Sequence, residues 1–186
     1  WDGDDKDHCR LCSQQNWSDN PGNRSTEIWG RGNGWVVVTL TQILESVPKT
    51  HPKWPTFASY LKEMLVHLPE LQDTATGHWF QLPVYPHAKG NYIESSCTAM
   101  FGYGIAGALR MGIVEGNAYQ DAADRAYVGL RRYSIAQKPG PWLTAKNICT
   151  GTCIGDKDYY FKRKAGREKC FGVVMFLQFV RESGSM

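Results

Sequence analysis

The chain has 186 residues, enough to bury a sizeable core, and its 42% hydrophobic and 21% charged residues exclude disorder as a global description. A net charge of +3, from 21 basic and 18 acidic residues, gives no footprint for a nucleic-acid binder; the basic run Lys162-Arg163-Lys164 reads as a solvated loop. No stretch approaches the roughly 20 apolar residues that a bilayer span needs, so no membrane partner is expected.

In chain order, residues 1–26 are rich in Asp, Asn, Ser and Gly and read as an opening loop of a single domain, 1–186, that ends in a short tail over 183–186. The polar, acidic Trp1-Asp2-Gly3-Asp4-Asp5 is not a secretory signal. A first helix is expected from Trp29 to Ser46, introduced by Ser25-Thr26-Glu27 as cap chemistry and stopped by Pro48. A second starts near Pro55 and carries Phe57, Tyr60, Leu61, Met64, Leu65 and Leu68 at helical spacing. Trp79 to Tyr92, with Pro83, Pro86 and Gly90, is loop-like. A third helix spans Glu94 to Met111 and a fourth Tyr119 to Ile135. A Gly/Pro/Thr-rich region runs to Asp158, and a last helix covers Cys170 to Arg181.

Polarity separates these helices into two kinds. Ser95 to Leu109 holds no charge and many small residues, which marks a helix buried on every side. Asp121, Asp124, Arg125, Arg131 and Arg132 give the fourth helix a wet face, and the second is amphipathic. The first and last are mostly apolar. Inner and outer helices alternate along the chain, the pattern of αα-hairpins wound into two concentric layers, and no strand-type alternation of useful length interrupts it. The expected fold class is all-α, as part of an (α/α)6 barrel that five helices cannot close.

The cysteines invite zinc, redox or disulfide readings through Cys9/Cys12 and Cys149/Cys153, but the flanks lack a zinc-ribbon turn pattern and the pairs lie far apart. Neither a metal nor another cofactor is expected, and Cys97 reads as a buried thiol. The compartment stays unassigned.

The densest candidate for chemistry is Trp29-Gly30-Arg31-Gly32-Asn33-Gly34-Trp35. Each glycine inside a helix costs about 1 kcal/mol relative to alanine, so some other gain must hold it there. Close approach of a ligand is one such gain; a tight helix crossing is the other. Arg31 offers a planar fork of donors, with Glu27 one turn earlier as a local candidate partner, and Trp29 and Trp35 could present rings to a sugar. The seven Trp and nine Tyr of the chain suit a sugar cleft or a core equally.

This heptapeptide resembles glycoside hydrolase family 105, the unsaturated rhamnogalacturonyl hydrolases, with the unsaturated glucuronyl hydrolases of family 88 more distant. Two further segments carry the likeness: Gly90-Asn91-Tyr92-Ile93-Glu94-Ser95-Ser96-Cys97-Thr98-Ala99-Met100-Phe101, and Gly151-Thr152-Cys153-Ile154-Gly155-Asp156-Lys157-Asp158-Tyr159-Tyr160-Phe161. The resemblance implies the C-terminal half of an (α/α) barrel that takes unsaturated uronyl oligosaccharides, the products of polysaccharide lyases. It implies hydration of the C4–C5 double bond with an Asp as general acid. It also implies a substrate site in which Arg31 holds polar groups, Trp29 and Trp35 shape the sugar site and Tyr159 lines the far wall. The acid is expected upstream, in a missing N-terminal half, because nothing here matches its stretch; Asp2, Asp4, Asp5 and Asp19 are only loop carboxylates. The chain alone is therefore expected to be inactive. The alternative is a non-catalytic carbohydrate-binding or remnant domain that keeps the aromatic–Arg site.

Overall fold

The computed structural model describes residues 26–137, 143–167 and Phe179. The opening loop, the C-terminal tail and, Phe179 apart, the expected last helix lie outside the described residues. The main helices are α1 (Gly30–Ser46), α2 (Trp54–Leu65), the single turn α3 (Leu68–Leu71), α4 (Ser95–Met111), α5 (Asn117–Gly129) and the short α6 (Lys157–Lys162).

α1 and α4 form the centre. Ser95 through Ala108 are all buried, as the charge-free run requires. The two helices interlock through glycines. A Cβ on Gly30 would lie 3.0 Å from Cys97 Sγ, one on Gly34 2.6 Å from Met100 Sδ, one on Gly104 2.1 Å from Val37 Cγ1, and one on Gly107 2.7 Å from Thr41 Cγ2. Notch and knob change sides midway, and the paired positions rise together in both helices. α1 and α4 therefore run parallel, side by side. The helices that follow each of them, α2 and α5, return on the outside. α2 packs on α1, and α5 on α4. Gly102 receives the Phe179 ring on a further face of α4, where Tyr127 also meets that ring edge-on at 6.1 Å.

Several local expectations need correction. α1 is not capped by Thr26 or Glu27: its N-cap is Trp29, which makes no side-chain cap bond. The Asn33 amide donates instead to the Trp29 carbonyl at 2.9 Å, and Gly30 N donates to Gln81 O at 2.9 Å. The first turn is thus fixed from inside the fold, as its burial allows. Tyr60 lies 43% exposed and does not belong to the buried stripe of α2, while Leu68 reaches the core from α3. The fourth helix stays helical to Ser134, next to its expected end, but changes its winding on the way. After Gly129 the chain winds into a π turn, Leu130–Ser134, and then a strand.

Short strand pairs occupy the region read as strand-free. β1 (Ile135–Gln137) pairs antiparallel with β2 (Leu143–Ala145), and β3 (Ile148–Cys149) with β4 (Ala165–Gly166). At two or three residues each they are too short to show a period of two. Helices dominate the architecture all the same, and none is long and apolar enough to cross a membrane among the described residues.

Candidate functional site

The N-terminal ends of α1 and α4 meet the late loop between β3 and α6, and the sequence motifs converge there. Arg31, only 3% exposed, donates from Nη1 to the Cys149 carbonyl at 2.7 Å and from Nη2 to the Thr150 carbonyl at 2.9 Å. Its guanidinium also lies 5.5 Å from the Trp29 ring centroid. The other end of the same peptide is held from α4. Glu94, fully buried as the N-cap of α4, accepts from Cys97 N at 2.7 Å and from Cys149 N at 2.9 Å, with Ser96 Oγ at 2.7 Å. A carboxylate satisfied by two backbone amides at a helix N-terminus tolerates this burial. Cys149 is thus gripped at its amide by Glu94 and at its carbonyl by Arg31.

An aromatic wall stands beside this clamp. Trp29, Leu82 and Tyr160 form a small core of their own, flanked by Tyr85, Tyr159 and Phe161. Trp29 and Tyr160 rings are 5.7 Å apart, and Tyr159 meets Tyr160 edge-on at 5.5 Å. Asp156 caps α6 by accepting from Tyr159 N at 2.7 Å, which sets the direction of both tyrosines. Tyr159 Oη accepts from Cys153 N at 3.0 Å, and Tyr160 Oη from Gly155 N at 3.2 Å, so the loop is pinned to its own helix.

Of the four candidate substrate residues, Trp29, Arg31 and Tyr159 come together. Trp35 does not join them. Six residues of helix turn it about 120° from Trp29, and it stands 41% exposed on α1. Of the three glycines in this stretch, Gly30 and Gly34 serve the close crossing of α1 on α4. Asp2, Asp4, Asp5 and Asp19 lie outside the described residues, as do Cys9 and Cys12. Among the described residues no three His, Cys, Asp or Glu side chains are grouped to hold a metal ion. Cys97, Cys149 and Cys153 carry no disulfide.

Burial sets the protonation of the site. Desolvation pushes the Tyr160 hydroxyl well above its ordinary value. It does the same for Tyr92, helped by the neighbouring Cys149 thiol, and for the Cys97 thiol, where Glu94 adds to the effect. All three are neutral near pH 7. Two buried polar atoms at the wall, Trp29 Nε1 and Gln81 Oε1, have no hydrogen-bond partner among the described residues. Gln81 anchors the wall through Nε2, which donates to the Tyr160 carbonyl at 3.1 Å. Sequence reasoning did not single out Glu94, Gln81 or Tyr160 as site residues. Glu94 had a signal, an acid just before an apolar helix; Gln81 had none.

Comparison with known proteins gives one consistent answer. A family model described as Glycosyl Hydrolase Family 88 matches residues 8–186. The unsaturated rhamnogalacturonyl hydrolase of Bacillus subtilis (strain 168) is 34% identical over 94 residues, 50% of this chain and 25% of that protein. An unsaturated 3S-rhamnoglycuronyl hydrolase of Alteromonas sp. (strain LOR) is 28% identical over 105 residues, 56% of this chain and 25% of that protein. Among solved structures, a family 105 glycoside hydrolase of C. acetobutylicum ATCC 824 superposes with a TM-score of 0.83 at 27% identity, over 93% of this chain and 50% of that one. The unsaturated glucuronyl hydrolase of Bacillus sp. GL1 shares the fold, with a TM-score of 0.60 at 17% identity, over 95% of this chain and 49% of that one. The chain spans half or less of the length of each.

Proposed function

The chain belongs to glycosyl hydrolase family 88, and on that premise we propose that it is the C-terminal half of a hydrolase for unsaturated uronyl oligosaccharides, left by polysaccharide lyases. The observation that carries this reading is the aromatic wall of Trp29, Tyr159 and Tyr160 set against the buried Arg31 at one end of two parallel inner helices. Tyr159 offers a partly exposed ring as stacking area for a sugar, backed by the buried Tyr160 and Trp29, and a fixed cation beside them favours an anionic one. The names of the Bacillus and Alteromonas relatives support the same substrate class.

The reaction is hydration of an enol ether. A carboxylic acid gives a proton to C4 of the unsaturated residue, water adds at C5 and returns a proton to solvent, and the product is a hemiketal. The hemiketal opens to the ketone, and the remaining hemiacetal at C1 releases the aglycone. Water is consumed and no redox partner is needed. Within this chain, Glu94 and Asp156 are committed to backbone amides; the family resemblance assigns the proton donor to the upstream half. Trp29 and Tyr159 shape the sugar site, and Arg31 holds the loop that forms its polar side.

A carbohydrate-binding domain without the acid would use the same wall. Titration separates the readings from other functions: the chain should bind an unsaturated uronyl disaccharide more tightly than its saturated counterpart, and Trp29→Ala should abolish the difference. Equal affinity for both, or none for either, would remove the wall as a uronyl site.

A further inference from the structure

Behind the clamp, a file of polar groups crosses the core. His78 is fully buried on the turn before Trp79. Its Nδ1 lies 3.0 Å from the Thr76 carbonyl and its Nε2 2.7 Å from Ser134 Oγ. Ser134 Oγ is 2.7 Å from Ser95 Oγ, and Ser95 Oγ is 2.7 Å from the Lys146 carbonyl. Each of these four contacts needs one hydrogen. Two hydroxyls supply two, and a neutral imidazole supplies one. Three hydrogens cannot make four bonds.

Either neutral tautomer leaves a gap. With the proton on Nδ1, Ser134 donates back to Nε2, and the single Ser95 hydrogen must choose between Ser134 and Lys146. With the proton on Nε2, the file is complete from Ser134 to Lys146, but the Nδ1 lone pair faces the Thr76 carbonyl, which can only accept; the neutral ring therefore carries its proton on Nδ1 and leaves the Ser95 hydrogen shared. Only the imidazolium fills every contact. It donates to Thr76 O and to Ser134, Ser134 donates to Ser95, and Ser95 donates to Lys146 O. The π turn is what brings Ser134 inward to join the file, and Gly129, where a Cβ would lie 2.1 Å from Thr76 O, lets the turn pack this close.

The file ends on the link between β2 and β3 that feeds the clamp. Ser95 begins α4 beside Glu94, Ser95 N donates to Asn147 O at 2.9 Å, and Lys146 lies three residues before Cys149. We propose that His78 is a positioning residue of the site, a proton-operated latch whose imidazolium form fixes the Lys146–Thr150 segment under Arg31. The latch rests on the reading of Arg31 and its loop as part of the site, but its test uses no substrate.

The groups facing His78 work against one another. Asp73 on its own turn and Glu94 at the head of α4 favour the charged ring, as does the Thr76 carbonyl. Tyr133 meets it edge-on at 6.1 Å, with the Arg132 guanidinium over the tyrosine ring. Lys146 presents its carbonyl. Burial is the largest influence and lowers the value below 6.5, so the latch closes on the acid side of that value.

The test is nuclear magnetic resonance on the isotope-labelled chain, taken from about pH 8 to about pH 4.5. Imidazole nitrogen shifts report the His78 protons, and amide-exchange protection factors report residues 146–150. The latch predicts that both ring nitrogens become protonated below pH 6.5. In the same step, protection of 146–150 should rise about fivefold to tenfold, the worth of one net hydrogen bond. His78→Gln, whose amide nitrogen donates to Ser134 at every pH, should show the higher protection throughout and no step. Titration of His78 without a change at 146–150 would overturn the latch, as would a wild-type pH step retained in His78→Gln. So would a ring that stays neutral over the whole range.

Discussion

Gly104→Ala places a methyl carbon 2.1 Å from Val37 Cγ1, where carbon atoms ordinarily rest about 3.5–4.0 Å apart. Val37 is β-branched and fully buried, so it has no free rotamer to retreat into. Separating the helices by about 1.5 Å would relieve the clash but would open the neighbouring contacts at Gly34 and Gly107. Overpacking of this kind costs about 1–3 kcal/mol, and the severity of the overlap puts it at the upper end. Alanine's better helix propensity returns about 1 kcal/mol, leaving a net loss of about 2 kcal/mol. Val37→Ala alone should cost about 2 kcal/mol through its cavity. Together they should complement, because the new methyl fills the space that Cγ1 vacates. Urea unfolding followed by circular dichroism, analysed as a double-mutant cycle, should give a coupling of about 1–3 kcal/mol. Additivity within about 0.5 kcal/mol would refute the parallel, glycine-notched packing of α1 on α4.

Arg31→Lys cannot span two successive carbonyls with one ammonium, and should lower stability by about 1–3 kcal/mol with faster proteolysis at the late loop; an unchanged melt would free Arg31 from the clamp. Trp29→Ala should cost about 3–5 kcal/mol by calorimetry, whereas Trp35→Ala, at a 41% exposed position, should leave the melt nearly unchanged. Tyr160 ionises at 10.0 when unfolded and higher when folded, so the unfolded chain holds fewer protons above that pH and stability falls as pH rises. The contribution is fully present below pH 10.0 and is lost at about 1.4 kcal/mol per unit above it; in unfolding titrations Tyr160→Phe should make the measured slope shallower by that share, leaving what Tyr92 and Cys97 add in the same direction.

The four long helices α1, α2, α4 and α5 could be read from the sequence because their signals are local, whereas α3 and α6 were not expected. A charge-free run from Ser95 to Leu109 has few places to go but the centre of a helical layer. The Trp29–Trp35 glycines were legible as costly but not as to purpose, since a ligand and a neighbouring helix both ask for the missing Cβ. Gly30 and Gly34 turn out to answer α4. The partners of Arg31 left no trace in composition, because every residue carries a carbonyl and the two it binds lie 118 and 119 residues away. The π turn and its strands were equally hidden. They depend on Ser134 reaching His78 across 56 residues, and two-residue strands have no period to detect.

The central claim is that this helical half shapes a site for unsaturated uronides whose proton donor comes from the other half. It is tested most directly by following the ultraviolet absorbance of the C4–C5 double bond in an unsaturated uronyl disaccharide. The protein carrying both halves of the barrel should erase that absorbance, this chain alone should not, and Trp29→Ala in the complete protein should slow it at least about tenfold, about 1.4 kcal/mol of transition-state stabilisation. Full activity in the isolated chain, or an undiminished rate in the complete Trp29→Ala protein, would contradict the account.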